Sequence, residues 1–243
     1  MDCTDLSFNF TGKKALVVGG SQGIGKGVVQ ALMEAGAIVT YAARTQFSSQ
    51  TDARFIKTDL SKKSDIKNLF DKIDSAGRLD ILINTAALNY FNKVDQISSE
   101  EWDNVINVNL TSTFLLCRES IIRMKKQSEG KIVIVSSIAG RNRSIVSGAH
   151  YTASKAGVIG LIRQLAFECG QYGININATC PSQTMTDMFF NSMDEGQQKA
   201  LANSIPIRRI ASVVEQVAPI LFLCSEGASY ITGAVIDVNG GQI

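Results

Sequence analysis

This sequence predicts an α/β fold in which a parallel sheet is covered by helices on both sides. Short apolar runs alternate with helix-patterned segments along the whole 243-residue chain. The runs are apolar at successive positions rather than at every second one, as strands buried on both faces are. The first run ends in glycines that open directly into a helix pattern, so the alternation starts as strand, turn, helix. No repeat, low-complexity segment or linker interrupts it. Residues 1–243 therefore read as one domain, close to the upper size of a single core.

The elements follow in order. Ala15-Leu16-Val17-Val18 is a buried strand. Ile24 to Ala35 is a helix with Ile24, Val28, Leu32 and Met33 at helical spacing, closed by Gly36. Ile38 to Ala42 and Phe55 to Thr58 are strands. Ser64 to Ser75 is an amphipathic helix that presents Ile66, Leu69, Phe70 and Ile73. Ile81 to Asn84 is a strand, and Ser99 opens a long helix reaching about Lys126. Ile132 to Val135 is a strand, Tyr151 to Gly170 a helix, and Ile174 to Thr179 a strand. Ser212 to Cys224 is a helix and Val235 to Val238 the last strand. Two segments break the rhythm. RTQFSSQTDAR, residues 44–54, has Phe47 as its large apolar residue and is just long enough for a parallel crossover with little or no helix. Residues 181–211, rich in Met, Phe and polar side chains, are expected to form a substrate loop.

Composition removes several functions. With 24 Lys plus Arg against 22 Asp plus Glu, the balance supplies no basic surface for nucleic acid. The single histidine, His150, excludes zinc sites built on two or more imidazoles. Five widely spaced cysteines, with no CxxC, are expected as buried or incidental free thiols in a cytoplasmic protein. The start, MDCTDLSFNFTGKK, has no apolar core and is not expected to act as a signal peptide. No apolar run approaches the roughly 18 residues of a membrane span.

The glycine turn reads Gly19-Gly20-Ser21-Gln22-Gly23-Ile24-Gly25-Lys26-Gly27. Backbone N–H groups at the start of the following helix favour phosphate. Gly20 to Lys26 nearly matches a Walker A loop, but Gly27 stands where that loop needs a Mg²⁺-ligating hydroxyl. The alternatives are a dinucleotide-binding turn and an ordinary tight turn. At the end of the second strand an acid would bind the ribose of NAD, whereas Arg accommodates the 2′-phosphate of NADP. No acid occurs between Glu34 and Asp52, and Arg44 follows the strand. NADP is therefore expected, with NAD as the alternative.

Tyr151 and Lys155 are i and i+4 on one helix. An ammonium near a phenol of ordinary pKa about 10 favours its ionised form, which suits proton exchange with a substrate oxygen. The glycine spacing, Asn84, Asn109 in NVNL, Ser136-Ser137, Tyr151-x-x-x-Lys155 and the final YITGAVIDVNGG occur in one order. The sequence thus resembles the short-chain dehydrogenase/reductase family, 3-oxoacyl reductases included, over essentially its whole length. The resemblance implies a Rossmann-type, doubly wound, three-layer αβα fold and a homotetramer or homodimer. It implies that Tyr151 is the general acid or base and that Ser137 holds the substrate oxygen. Lys155 would lower the pKa of Tyr151 and bind the nicotinamide ribose, and Asn109 would position a relay water. For the cofactor it implies Gly19, Gln22, Gly23, Ile24, Gly25, Arg44, Asp59, Leu60, Asn84, Ala86, Pro181, Thr184 and Thr186, besides Tyr151 and Lys155. The sequence departs from the family pattern at Thr85, Ala87 and Ser182.

On the substrate side, Ile138, Tyr90, Met185, Met188, Phe189 and Phe190 offer an adaptable apolar wall. Arg141 and Arg143 could meet an anionic substrate or lie solvated. His150 is expected at the helix entry or pocket rim, not as a catalyst. The expected activity is reduction of a ketone, for instance a 3-oxoacyl thioester, by NADPH. The alternatives are an NAD-dependent alcohol, diol or sugar dehydrogenase and a non-catalytic dinucleotide sensor.

Overall fold

The computed structural model describes residues 8–47, 51–75, 77–144, 146–186 and 194–243. Its strands are β1 (Lys14–Val18), β2 (Ile38–Ala43), β3 (Arg54–Lys57), β4 (Ile81–Asn84), β5 (Gly130–Val135), β6 (Ile174–Pro181) and β7 (Val235–Val238). They form one seven-stranded sheet in the order β3-β2-β1-β4-β5-β6-β7, every pair parallel. The helices are α1 (Gly23–Glu34), α2 (Lys63–Asp74), α3 (Ser99–Ile106), α4 (Ser112–Gln127), α5 (Ile138–Arg141), α6 (Ala149–Cys169), α7 (Glu195–Ser204) and α8 (Val213–Cys224).

The uniform apolarity of the strands is explained by a core on each face. Leu16, Val18, Leu82 and Ile132 pack with Leu69, Leu116 and Val158 from α2, α4 and α6. Their sequence neighbours Val17, Ile83 and Val133 face the other way, onto Val28 of α1 and Val217 and Leu221 of α8. Each such side chain contributes about 1.5–3 kcal/mol by leaving water. The result is the doubly wound Rossmann fold in three layers. β1 pairs with β2 on one side and β4 on the other. Because the winding reverses there, a crevice opens outside the carboxyl ends of β1 and β4.

Helix α1 ends as its sequence predicts. Gly36 takes φ +87°. Its N–H donates to Met33 (2.9 Å) and that of Ala37 to Leu32 (2.9 Å), which satisfies the last carbonyls. The β2–β3 crossover has no helix among its described residues. Instead Phe47 stacks on Tyr41 with ring centroids 4.4 Å apart, and its N–H donates to the Tyr41 hydroxyl at 3.3 Å.

Two expectations need correction. The single helix from Ser99 to Lys126 is α3 and α4 joined by a π-turn at Asn107–Thr111. The cause is Asn109, whose side chain bonds to groups outside the helix, and the wider turn swings it inward. The expected loop 181–211 contains helix α7, started by a capping box between Asp194 and Gln197. Leu201, Ile205 and Ile210 give this excursion a small core of its own.

Candidate active site

The crevice is built first from glycines. Gly19 takes φ +82°, and a Cβ there would lie 2.6 Å from the Ala86 nitrogen. A Cβ on Gly25 would lie 2.2 Å from the Gly19 carbonyl oxygen. Gly23, at φ +51°, lies against the Thr186 methyl. Helix α1 starts after Gln22 with no side-chain cap and no acid in its first turn. Its first N–H groups are therefore suited to a pyrophosphate. Ile24 turns its side chain to the core and leaves its backbone to that turn. These features fit a dinucleotide cofactor: a bare backbone cradle, glycine where a side chain would clash, and a helix start that carries no acid.

Further residues line the same edge of the sheet. Arg44 is exposed immediately after β2. Asp59 follows β3, and its carboxylate accepts from the Ser61 N–H (3.0 Å) and hydroxyl (2.8 Å). These bonds, with Lys62 and Arg44 nearby, hold it below the usual carboxylate range. Leu60 packs into the core beneath. Asn84, at the end of β4, donates to the Thr113 hydroxyl (3.0 Å) and accepts from the Ala86 N–H (3.1 Å). Thr85, a departure from the family pattern, donates its hydroxyl to the Val18 carbonyl at 3.0 Å. Its backbone N–H donates to the same carbonyl at 2.9 Å. The substitution thus ties β4 to β1 directly under the glycine turn.

Helix α6 supplies the reactive groups. Tyr151 lies in its first turn, and the Ser137 hydroxyl is within hydrogen-bonding reach of the phenol. Ser137 caps α5 by accepting from the Ala139 N–H (3.1 Å). Lys155 is buried, donates to the Val135 carbonyl (2.8 Å) and stands 5.7 Å from the centroid of the Tyr151 ring. Asn109 accepts from the Leu88 N–H (2.7 Å) and donates to the Leu88 carbonyl (2.8 Å) and to the Ser154 hydroxyl (3.0 Å). Ser154 donates in turn to the Tyr151 carbonyl (2.7 Å). The structure therefore brings Asn109, Ser137, Tyr151 and Lys155 together at one end of the crevice.

The electrostatics amend one expectation. The Tyr151 phenol stands above its ordinary pKa, because burial opposes the phenolate more than the Ser137 hydrogen bond favours it. The lowering by Lys155 is not what this structure displays. Lys155 itself is depressed by burial to about 8. Cys180, at the end of β6, lies beside Ser136 and Ser137, and burial pushes its thiol up. Among the described residues the free cysteines Cys117, Cys169, Cys180 and Cys224 are all buried, and Cys3 lies outside those residues.

Pro181 ends β6 in the interior, and the Ser182 N–H donates to Val238 (3.3 Å). No positive φ is needed at Ser182, so its departure from glycine costs the backbone nothing. Thr184 bridges to Ala211, and the Met185 N–H donates to the same residue at 2.8 Å. Met185 is itself exposed, and Ile138 follows Ser137 directly as the first residue of α5. The Tyr90 hydroxyl accepts from Asn104 (3.2 Å). Met188, Phe189 and Phe190 lie outside the described residues. Arg141 is not brought to face a substrate. Its guanidinium forms a fork with Asp237 of β7, at 3.1 and 3.0 Å. Ser154 and Thr113 are contributors that sequence reading missed. Their only signal is an alcohol one or two turns from a site residue. No metal-binding group of His, Cys, Asp or Glu occurs among the described residues, and no described helix is long and apolar enough to cross a membrane.

A nicotinamide held in the crevice would supply a hydride and the phenol a proton, which is the work of a nicotinamide-dependent oxidoreductase. The family model described as short chain dehydrogenase matches residues 13–197, and the chain belongs to that family. It is 32% identical to the 3-oxoacyl-(acyl-carrier-protein) reductase FabG of Escherichia coli (strain K12), over 96% of this chain and 98% of that one. To the FabG of Aquifex aeolicus it is 35% identical, over 98% and 100%. Among solved structures, the aldohexose dehydrogenase of Thermoplasma acidophilum superposes with TM-score 0.89 at 26% identity, covering 96% of this chain and 94% of that one. ElxO with NADP bound superposes with TM-score 0.88 at 28% identity, covering 95% and 98%.

Proposed function

We propose that this chain is an NADP-dependent reductase of ketones, with a 3-oxoacyl thioester as the candidate substrate. The observation that carries the reading is the partly buried Tyr151 phenol, beside the Ser137 hydroxyl and with the Lys155 ammonium 5.7 Å from its ring centroid, at the end of a glycine-lined crevice. When bound, the nicotinamide supplies the hydride. Tyr151 donates its proton to the carbonyl oxygen as that oxygen gains charge, and Ser137 donates a hydrogen bond to the same atom. A phenol held above its ordinary pKa stays protonated at neutral pH, which suits the acid role. Lys155 binds the nicotinamide ribose and keeps a positive charge near the phenol up to about pH 8. Ser154, itself held by Asn109, fixes the Tyr151 carbonyl, and the relay water is assigned to Asn109 on the family resemblance alone.

For the cofactor, the exposed Arg44 supports NADP, and so do the reductase relatives and the NADP-bound neighbour. The Gly19, Gly23 and Gly25 cradle, Asp59, Asn84, Ala86, Pro181, Thr184 and Thr186 are assigned to the same ligand. An NAD-dependent sugar dehydrogenase is the second reading, favoured by the likeness to the aldohexose enzyme. The outer faces of α4 and α6 leave Phe114, Ile122 and Phe167 exposed, which supports a homotetramer or homodimer. The buried free thiols support a reducing, cytoplasmic setting.

NADPH and NADH oxidation should be followed against a ketone panel that includes acetoacetyl thioesters. NADPH-driven turnover is expected, and Tyr151→Phe should abolish it while NADPH still binds. Retained turnover in that variant would refute the mechanism. Arg44→Ala should raise the NADPH Km about tenfold or more and leave that for NADH nearly unchanged.

A further inference from the structure

The lone imidazole is deeper in the molecule than a pocket-rim residue. His150 is fully buried in the first turn of α6, one residue before Tyr151. Its Nδ1 accepts from the Tyr151 backbone N–H at 2.8 Å. Its Nε2 lies 2.7 Å from Oε1 of Glu101. Because Nδ1 is an acceptor, the ring proton sits on Nε2 and is donated to the carboxylate.

Glu101 belongs to the first turn of α3, and its second oxygen accepts from Asn92 Nδ2 at 2.7 Å. Asn92 lies on the segment after β4 that also carries Tyr90. The Tyr90 ring is 6.1 Å from the imidazole, and its carbonyl accepts from the Gly148 N–H at 3.2 Å. Gly148 has no room for a side chain: a Cβ there would lie 2.5 Å from His150 Cε1 and 2.9 Å from the Asn92 carbonyl oxygen. One imidazole thus joins α3, α6 and the segment on the substrate side.

We propose that the His150–Glu101 pair positions Tyr151 and couples its placement to the 88–92 segment. The inference rests on the assignment of Tyr151 as proton donor. Tyr151 is held at both its backbone N–H and its backbone carbonyl. His150 takes its N–H, and Ser154, itself held by Asn109, bonds to its carbonyl. Removing the imidazole frees the first of these and leaves a buried N–H and a carboxylate without their partner. The phenol then samples orientations away from the substrate oxygen, although every group that touches cofactor or substrate remains. His150 and Glu101 are positioning residues and need no proton transfer of their own.

The single histidine makes the test clean. Nitrogen-15 NMR of the full chain should show the Nε2–H tautomer in the wild type; an Nδ1–H tautomer would overturn the proposal. Tyr151 amide exchange should accelerate in His150→Ala. Both readouts are independent of turnover, so a chain inactive on every ketone would refute the proposed function, while the hold of His150 on the Tyr151 backbone is upheld or overturned by these two readouts alone. Given turnover, His150→Ala and Glu101→Ala should each lower kcat about tenfold with NADPH affinity unchanged. The double variant should be no worse than either single one, and Glu101→Gln, which keeps an acceptor, should retain most of the activity. Unchanged kcat, additive losses, or parallel loss of NADPH binding would each show a merely structural role.

Discussion

At the residue scale, the buried Lys155 sets the pH behaviour. Its folded pKa of about 8 lies below the ordinary 10.5. Ketone reduction should therefore be level near neutrality and fall above about pH 8, as the cation beside Tyr151 is lost. A pH series of kcat/KM checks this. The stability consequence has the opposite sense. Below pH 8 both folded and unfolded chains carry the proton, and the folded state bears the full cost of the buried charge. Between pH 8 and 10.5 the unfolded chain binds more protons, so stability rises with pH over that window. Lys155→Met should lose activity and also lose this rise, whose ceiling is about 3 kcal/mol. Urea melts of both proteins at pH 7 and 10 would measure the difference. At Gly25 the limit is steric: the 2.2 Å approach to the Gly19 oxygen leaves no space for a methyl group. Gly25→Ala should weaken NADPH binding at least tenfold by titration. Legibility at this scale was uneven. Tyr151, Lys155 and the glycines stand in a readable pattern. The Arg141–Asp237 fork and the Glu101–His150 contact join residues 96 and 49 positions apart, which no local pattern encodes.

Among the elements, the strands were the most legible, because burial on both faces writes itself as an uninterrupted apolar run. The π-turn was not. Its sequence, NVNLT, continues a helical pattern, and only the bonds of Asn109 to Leu88 and Ser154 explain the extra residue. Helix α7 was hidden for a related reason: its apolar stripe is short and packs on Ile205 and Ile210, not on the sheet. The crossover after β2 gives an element-scale prediction. Phe47 is nearly buried and stacked on Tyr41, with the Lys26 ammonium 5.8 Å from its ring centroid. Phe47→Ala should cost about 3 kcal/mol. NADPH affinity should fall as well, since Arg44 is three residues away, whereas Tyr151 chemistry at saturating NADPH should be unchanged. At the start of α8, Ser212 and Glu215 form a capping box, and Arg209 helps to hold the Glu215 carboxyl down at about 2. Ser212→Ala should cost about 1 kcal/mol, read from the thermal midpoint.

For the whole molecule, the doubly wound topology places every assigned group on one edge of the sheet. The reversal between β1 and β4 made that edge a crevice before any side chain was specified. A ligand bound there touches segments from most of the strands, so it should stabilise the fold as a unit. NADPH at a hundred times its Kd should add about 2.7 kcal/mol, seen as one cooperative rise in melting temperature. A smaller rise with NADH at the same concentration would mirror the preference assigned to Arg44. The ring of Phe47 divides the β2–β3 crossover, so that Arg44, Thr45 and Gln46 hang as a short exposed span between the sheet and a fixed anchor. On the role proposed for Arg44, substitutions confined to that span should change which pool of reducing equivalents the enzyme draws on while turnover at saturating cofactor, set by Tyr151, stays unchanged.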